Sequence, residues 1–187
     1  MKTNDRRLAA FFGVLTLILV LVTLTNEDFL HWVFERHQNQ LSWYLRPLFL
    51  IPFCFFAYQR RWAGLTGTVF ILLTSTFWFP KPRVVDESVR QFLQFEQEWL
   101  RGPWDLGKIC LSLLVPVSMA ALGMAFWKKS VLLGLAVLFS IAVGKICWSI
   151  LQAGQAGAAT VVPALLGLLI CCLLTYFGVK HLERQTR

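Results

Sequence analysis

A single glutamate within an apolar stripe is the feature of this sequence that points most directly to chemistry. In the segment 85–100, apolar residues recur at helical spacing, and Glu96 falls near the centre of the apolar side. A carboxylate in such a place requires a cationic partner, because an unpaired charge away from water is costly. The cations at a matching depth are Lys108, at the start of an apolar run, and Lys145, well inside another. We therefore predict that Glu96 pairs with Lys145, with Lys108 close by.

Two interpretations of this charged trio follow from the cost of an ionisable group within a membrane span. In the first, the ion pair only pins the amphipathic segment onto a helical bundle, or Lys145 snorkels outward without a partner. In the second, two lysines, two tryptophans and the glutamate line a ligand-binding pocket at the outer leaflet: Trp78, Glu96, Trp99, Lys108 and Lys145. The lysines would supply charge for an anion, and the tryptophans would supply an apolar wall.

A second cluster of polar side chains lies in the segment 27–37. In a helical reading, Glu27, His31 and Glu35 share one face, and His31 and Glu35 stand four residues apart. Imidazole and carboxylate groups at that spacing are ligands that a divalent metal can bridge. The favoured interpretation is the solvated polar face of an interfacial helix, so no metal and no cofactor are predicted.

Six apolar runs dominate the chain and must position these side chains. The sequence is 57% hydrophobic and only 15% charged, with a mean hydropathy of +0.60, whereas soluble domains are about a quarter charged. A helix that crosses the bilayer core needs about 20 mostly apolar residues. We therefore predict an all-α, single-domain polytopic membrane protein with about six transmembrane helices and an outer amphipathic helix at 85–100. The spans are predicted at 8–25, 41–58, 62–79, 106–127, 130–151 and 158–179.

The distribution of charge predicts the orientation of these spans. With the N-terminus inside, the cytoplasmic segments hold ten basic and two acidic residues, whereas the outer segments hold seven basic and eight acidic residues. Because basic residues concentrate on the cytoplasmic loops of membrane proteins, we expect both termini in the cytoplasm. The same rule explains the net charge of +8, so nucleic acid is not an expected partner. The basic residues assigned to the cytoplasm are Lys2, Arg6, Arg7, Arg60, Arg61, Lys128, Lys129, Lys180, Arg184 and Arg187.

No sequence motif identifies an enzyme. The chain lacks a GxxxxGKS phosphate-binding loop, a GxSxG nucleophile elbow, an HExxH metal motif and a dinucleotide fingerprint. The five cysteines lie in apolar runs, without the spacing of a disulfide framework or a zinc site. An enzyme is therefore only an alternative, with Glu96 or His31 as its acid or base.

Two short runs of the sequence carry a resemblance to other proteins. The run 77–82, FWFPKP, followed by the run 92–100, FLQFEQEWL, resembles a group of small bacterial membrane proteins of uncharacterised activity. In that group an FWFPxP turn precedes an FLxxExxWL segment. The resemblance implies a bacterial inner membrane and the same six-helix layout, and it implies no activity.

Three hypotheses for the function follow. The leading one is a non-enzymatic membrane protein that binds an amphiphilic or anionic ligand, such as a lipid headgroup, or that serves as an accessory subunit of a membrane complex. The second is a small oligomeric transporter whose spans are broken at Pro116 and Pro163. The third is the membrane-embedded enzyme. The expected partners are membrane lipids, with a homo-oligomer or a partner membrane subunit left open.

Overall fold

The computed structural model describes residues 3–185 and, of their side chains, those of residues 3–184. The chain is all-helical over this range, without a strand, as the composition predicts. Lys2 and Arg187, which the charge pattern assigns to the cytoplasmic side, lie outside the described residues. Three 3-10 segments connect or extend the α-helices: Arg46–Phe49, Ser75–Phe77 and Gly154–Thr160. The α-helices are α1 Thr3–Thr25, α2 Glu27–His37, α3 Leu41–Leu45, α4 Leu50–Tyr58, α5 Trp62–Thr74, α6 Glu87–Arg101, α7 Leu106–Trp127, α8 Val131–Ala153 and α9 Val161–Gln185.

Long apolar helices indicate a membrane-embedded protein. Four helical stretches of the described residues have the length and composition to cross a membrane: Thr3–Thr25, Leu41–Tyr58, Leu106–Trp127 and Val131–Arg184. The last stretch contains both α8 and α9, which contact each other. The apolar helix Trp62–Phe77 is shorter. Length and composition therefore support several spans, and the count of about six stays a prediction.

The first residues of α6, α7 and α9 lie at or close to the predicted positions, and capping side chains fix two of them. α6 begins two residues later than predicted, because the Asp86 carboxylate caps it by accepting a hydrogen bond from the Ser88 N–H at 2.9 Å. α7 begins where predicted, since Asp105 accepts from the Lys108 N–H at 2.7 Å. α9 begins three residues later than predicted, because the Gly154–Thr160 segment is wound as a 3-10 helix.

The second predicted span is helical but not continuous. Pro47 lies in the 3-10 segment between α3 and α4, where a proline removes a backbone donor. Its ring packs on Gly167 of α9, where an added Cβ would lie 2.4 Å from the proline Cβ. Its carbonyl oxygen accepts a hydrogen bond from Cys171 Sγ at 3.0 Å. These contacts fix the break in this span against α9.

The main core lies where α4, α7, α8 and α9 meet. Cys54, Leu122 and Phe126 are fully buried there, with a fractional exposure of 0%. The Phe126 ring lies directly on Gly134 of α8, where an added Cβ would approach it to 2.3 Å, so α7 and α8 pack closely. The outward sides of α1, α7 and α9 carry exposed Leu, Val and Phe side chains, which is the pattern of a surface in contact with lipid.

α6 lies across one end of this bundle, which we call the α6 end. Its apolar side buries Val89, Phe92 and Leu93, each only 2% exposed. They pack against Trp43 and against alanines of and next to the Gly154–Thr160 segment. The predicted amphipathic helix therefore rests on the protein with its apolar side and presents its charged side outward.

The loops that carry the basic doublets meet at the other end of the bundle, which we call the basic end. Asp5 of α1 accepts hydrogen bonds from the first two backbone N–H groups of α5 at 3.1 and 3.2 Å. Arg60 donates to the Trp127 carbonyl oxygen at 3.3 Å. Tyr58 OH donates to Glu183 at 2.9 Å, which brings α9 to the same end.

Both basic doublets place a cation where glycine is the usual residue. Arg60 and Lys129 have φ angles of 58° and 59°, in the left-handed region that disfavours residues with a Cβ. Each follows the end of a helix, and the next residue donates its N–H to the carbonyl five positions back, at 2.9 and 3.0 Å. The two loops therefore use the same turn and bear the same backbone strain.

Candidate functional site

The ion pair predicted from the sequence is present at the α6 end. Lys145 Nζ lies 2.7 Å from Glu96 Oε1 and joins α8 to α6. The glutamate side chain is 18% exposed and the lysine side chain 45% exposed. The pair is thus sheltered on the side of the carboxylate and open on the side of the ammonium group. The prediction that Glu96 pairs with Lys145 is confirmed.

Aromatic rings lie beside the lysine of this pair. Lys145 Nζ lies 4.8 Å from the centroid of the Trp148 ring and 5.0 Å from that of Phe92, distances at which a ring attracts a cation. Trp148 packs edge-on against Trp99 of α6, with centroids 5.7 Å apart. The predicted Trp99 therefore belongs to this cluster, together with two rings that the sequence analysis did not assign to it.

Lys108 also belongs to the cluster, but its ammonium group is occupied. It is 7% exposed, and its Nζ donates to the carbonyl oxygens of Leu100 at 3.2 Å and Gly102 at 2.7 Å. The same group lies 5.1 Å from the Trp99 ring and 4.5 Å from the Trp104 ring. Because a cation at the last carbonyls of a helix satisfies orphan acceptors, Lys108 holds the end of α6 in place.

Trp78 lies apart from the other four predicted residues. Its ring packs edge-on against Phe49 at 5.6 Å, and among residues 3–184 no ring contact connects it to Trp99. The segment after it contains Pro80, whose carbonyl oxygen accepts a hydrogen bond from the Asn39 side chain at 3.2 Å. This contact holds the segment at the turn between α2 and α3. Among residues 3–184, the ring contact of Trp78 therefore does not connect it to the other four predicted residues.

A partly buried contact between a histidine and an arginine lies next to the cluster, and it was not predicted from the sequence. Arg46 Nη1 donates to His37 Nε2 at 2.9 Å. His37 is only 8% exposed, and its carbonyl oxygen accepts from Trp43 Nε1 at 2.8 Å. The Trp43 ring packs edge-on against Phe92 of α6 at 5.8 Å. Two rings thus connect the histidine to the aromatic surroundings of the ion pair.

The surroundings of His37 disfavour its protonation. Burial lowers the pKa of the imidazole well below its ordinary value of 6.5, and the positive charges of Arg46 and Lys145 lower it further. The ring is therefore neutral at physiological pH. A sequence signal did exist, since Arg46 is a charge inside an apolar run and such charges face partners. The signal did not name His37, which lies on a separate helix.

A recess of about 170 Å³ lies beside the cluster, between the α1–α2 junction and the end of α6. One acidic and one basic side chain line it, and neither Glu96 nor Lys145 does. It shares Trp104 with the surroundings of Lys108. The lining residues are Thr23, Leu24, Asn26, Glu27, Leu30, Leu100, Arg101 and Trp104.

The predicted polar face of α2 carries an exposed ion-pair network. His31 Nε2 lies 3.6 Å from Glu35 Oε1, and Lys81 Nζ lies 2.5 Å from the same oxygen. The hydrogen bond from Lys81 lowers the pKa of the Glu35 carboxyl below its ordinary value. Glu27 lines the recess instead of joining them. Among the described residues, no group of three His, Cys, Asp or Glu side chains is placed to hold a metal ion.

Comparison with known proteins adds no further constraint on the site. No protein-family model, curated protein or solved structure matches this chain. The resemblance drawn from the FWFPKP and FLQFEQEWL runs stays a prediction.

Proposed function

We propose that this protein binds the anionic headgroup of an amphiphile at the Lys145–Glu96 pair, with the apolar part of the ligand lying on the adjoining helices. The observation that carries the proposal is a half-exposed lysine side chain in an apolar helix, with its ammonium group beside aromatic rings and its partner glutamate sheltered. Ionisable residues within membrane helices are costly and usually mark a functional site.

The local charge balance favours an anion. Lys145 and Arg46 bring two positive charges to the single negative charge of Glu96, which interacts electrostatically with Arg46 as well. Among residues 3–184, Glu96 is the carboxylate within 4.0 Å of Lys145, and no carboxylate lies within 4.0 Å of Arg46. His37 is neutral and offsets none of this charge. A phosphate or carboxylate headgroup would complete the balance through charge-assisted hydrogen bonds.

The open side of Lys145 is accessible from outside the bundle. The adjacent Gly144 is exposed, and a Cβ added to it would have nothing within 4 Å. Toward the N-terminus of α8, Val143 lies two residues and Phe139 six residues before Lys145, and they are 39% and 58% exposed. These exposed apolar side chains of the same helix favour an amphiphile over a small soluble anion.

For this arrangement we infer six membrane crossings, with the basic end in the cytoplasm of a bacterial cell. The spans would be α1, the α3–α4 pair, α5, α7, α8 and α9. The gathering of both basic doublets at one end supports this orientation, because basic loops stay on the cytoplasmic side. The α6 end would then lie at the outer leaflet.

The other hypotheses gain no specific support. Pro116 lies inside the continuous helix α7, and Pro163 lies in the first turn of α9, where proline is tolerated. Neither proline breaks a span as the transporter hypothesis expected. Glu96 is held by a lysine, and His31, which lies 3.6 Å from Glu35, is exposed, so neither contact specifically supports an enzyme. A homo-oligomer or an accessory role in a membrane complex stays a prediction.

Lipid retention by the full chain in detergent tests the proposal. Native mass spectrometry would compare bound phosphatidylglycerol, which is anionic, with bound phosphatidylethanolamine, which is zwitterionic. We expect tighter binding of phosphatidylglycerol, and a loss on the order of tenfold, roughly 1.4 kcal/mol, in the Lys145→Gln variant. Lys180→Gln is the matched control, because Lys180 also lies over a ring, that of Tyr176 at 4.5 Å. Equal losses in both variants, or no lipid preference in the unaltered chain, would overturn the proposal.

Cysteine labelling of intact cells tests the orientation. A maleimide that does not cross membranes should label Asn39→Cys, before the second span, and should not label Gln59→Cys, after it. Disruption of the cells should expose the second position. Labelling of both positions from outside would contradict a crossing between them, and the reverse pattern would contradict the orientation.

A further inference from the structure

The hydrogen bonds of the His37 ring fix its protonation state. Ser42 Oγ donates its hydrogen to the Asn39 carbonyl oxygen at 2.8 Å, so it accepts the hydrogen bond from His37 Nδ1 at 3.0 Å. Nε2 then carries the lone pair, which accepts from Arg46 Nη1 at 2.9 Å. The ring is therefore the neutral tautomer with its hydrogen on Nδ1.

Charged groups act on this ring from two elements, and a third element acts on one of those groups. Arg46 contacts it from the 3-10 segment before α4, Lys145 acts on it from α8, and Glu96 of α6 acts in turn on Arg46. On α2 itself, Arg36 lies over an indole ring and Glu35 binds a lysine. The parts of α1 and of the Ser75–Phe77 segment near α2 have no titratable side chain. The ring thus faces more positive than negative charge.

We propose that His37 couples anion binding at the Lys145–Glu96 pair to the uptake of one proton from solvent, with Arg46 as the second cation that the anion engages. This inference rests on the function proposed above. Protonation forms a new N–H bond at Nε2, so this nitrogen no longer accepts a hydrogen bond from Arg46. The imidazolium and the guanidinium are then adjacent positive charges that repel each other. An anion that contacts Lys145 and Arg46 offsets this repulsion, so the bound state takes up the proton more readily.

The coupling is reciprocal, because binding and protonation share one free energy of interaction. If the bound anion favours the protonated ring, the protonated ring favours the anion by the same factor. Affinity for the anion therefore rises as the pH falls, by at most about tenfold per pH unit for one linked proton. Phosphatidylglycerol is the suitable probe, since its phosphodiester stays singly charged across this range.

The test measures phosphatidylglycerol affinity of the full chain in detergent between about pH 8 and about pH 5.5. We expect the unaltered chain to bind more tightly at the acidic end, and the His37→Gln variant to bind with little dependence on pH. His31→Gln is the matched control, because His31 is an exposed histidine on the same helix. An identical pH dependence in the unaltered chain and His37→Gln would overturn the coupling and leave the proposed function standing. No binding at any pH would overturn both.

A measurement on the unaltered chain keeps the test independent of the variant's folding. Nitrogen NMR of the imidazole would report the tautomer of His37 and its protonation. We expect the neutral form with hydrogen on Nδ1 near pH 7 without lipid, and conversion to the charged form at a higher pH when phosphatidylglycerol is added than without it. A ring that stays neutral with lipid bound would overturn the coupling.

Discussion

The α6 end and the basic end of the molecule both carry cations, but they hold them in opposite ways. At the α6 end, Lys145 and Lys108 contact a carboxylate, backbone carbonyl groups and indole rings. At the basic end, Arg60 and Lys129 lie in short loops, in a backbone conformation that disfavours any side chain. The cations of the α6 end thus join different helices through a carboxylate and helix-end carbonyls, whereas at the basic end Arg60 and Lys129 are exposed and contact the Trp127 carbonyl oxygen and the Tyr58 ring, respectively.

This difference separates two uses of charge in a membrane protein. A cation in a loop requires no partner, and its value lies in the side of the membrane on which it stays. A cation within a span must be compensated, and the compensating groups shape a site around it. The partners of a charge, rather than its presence in the sequence, therefore distinguish an orienting residue from a binding residue.

The largest effect should come from breaking the ion pair of the α6 end. Glu96→Gln keeps the size of the side chain but leaves Lys145 unpaired. We expect the free energy of unfolding to fall by about 1–3 kcal/mol, less than for a fully buried pair because the lysine is half exposed. Thermal unfolding of the full chain in detergent measures it. At the basic end, Glu183→Gln alters the exposed contact with Tyr58 and should cost far less; equal costs would remove the contrast between the ends.

Acidification should weaken the α6 end through His37. The folded chain keeps this ring neutral below its ordinary pKa of 6.5, whereas the unfolded chain takes up a proton there. The stability it contributes is thus fully present above 6.5 and is lost as the pH falls below it, by up to about 1.4 kcal/mol per pH unit. Glu35, whose pKa is lowered from 4.5, contributes only in a more acidic range. Unfolding temperatures between about pH 8 and about pH 5.5 should fall in the unaltered chain more than in His37→Gln, and parallel curves would refute the assignment.

The smallest effect should be a gain in stability at the basic end. Lys129→Gly relieves a side chain held at a φ of 59°, which should raise the free energy of unfolding by about 1 kcal/mol. Lys128→Gly removes the same charge where φ is −78°, so it relieves nothing and should lower stability by about 0.5–1 kcal/mol. Comparing the unfolding free energies of the two variants under identical conditions separates the effect of backbone strain from the effect of lost charge. The same shift in both would mean that the loss of charge, not strain, sets the result.

The Glu96–Lys145 pair could be predicted from the sequence because it follows from periodicity and the cost of burial. The helical spacing of α6 places Glu96 on the apolar side, and that position requires a cation, of which the adjacent spans offer two. Both Lys145 and Lys108 are found there. Which lysine would bind Glu96 and which would bind backbone carbonyls was not predictable, because this depends on which carbonyl groups lie at the end of α6.

Contacts made by segments that are not regular helices could not be predicted. Trp78 follows a 3-10 turn and precedes two prolines, so no periodicity fixes the direction of its side chain, and it packs on Phe49 instead of joining the cluster. The contact between Arg46 and His37 depends on two helices joined by a turn. The sequence indicates that such residues need partners, but the partners themselves depend on the path of the chain through its turns.

The break at Pro47 bears on the whole α6 end. A 3-10 helix turns about 120° per residue and an α-helix about 100°, so the four residues 46–49 rotate the preceding turn by roughly 80° relative to an uninterrupted helix. That preceding turn carries Trp43, which meets Phe92. Restoring a regular α-helix there would rotate the indole away from α6, so this local overwinding aligns Trp43 of the apolar stretch Leu41–Tyr58 with Phe92 of α6.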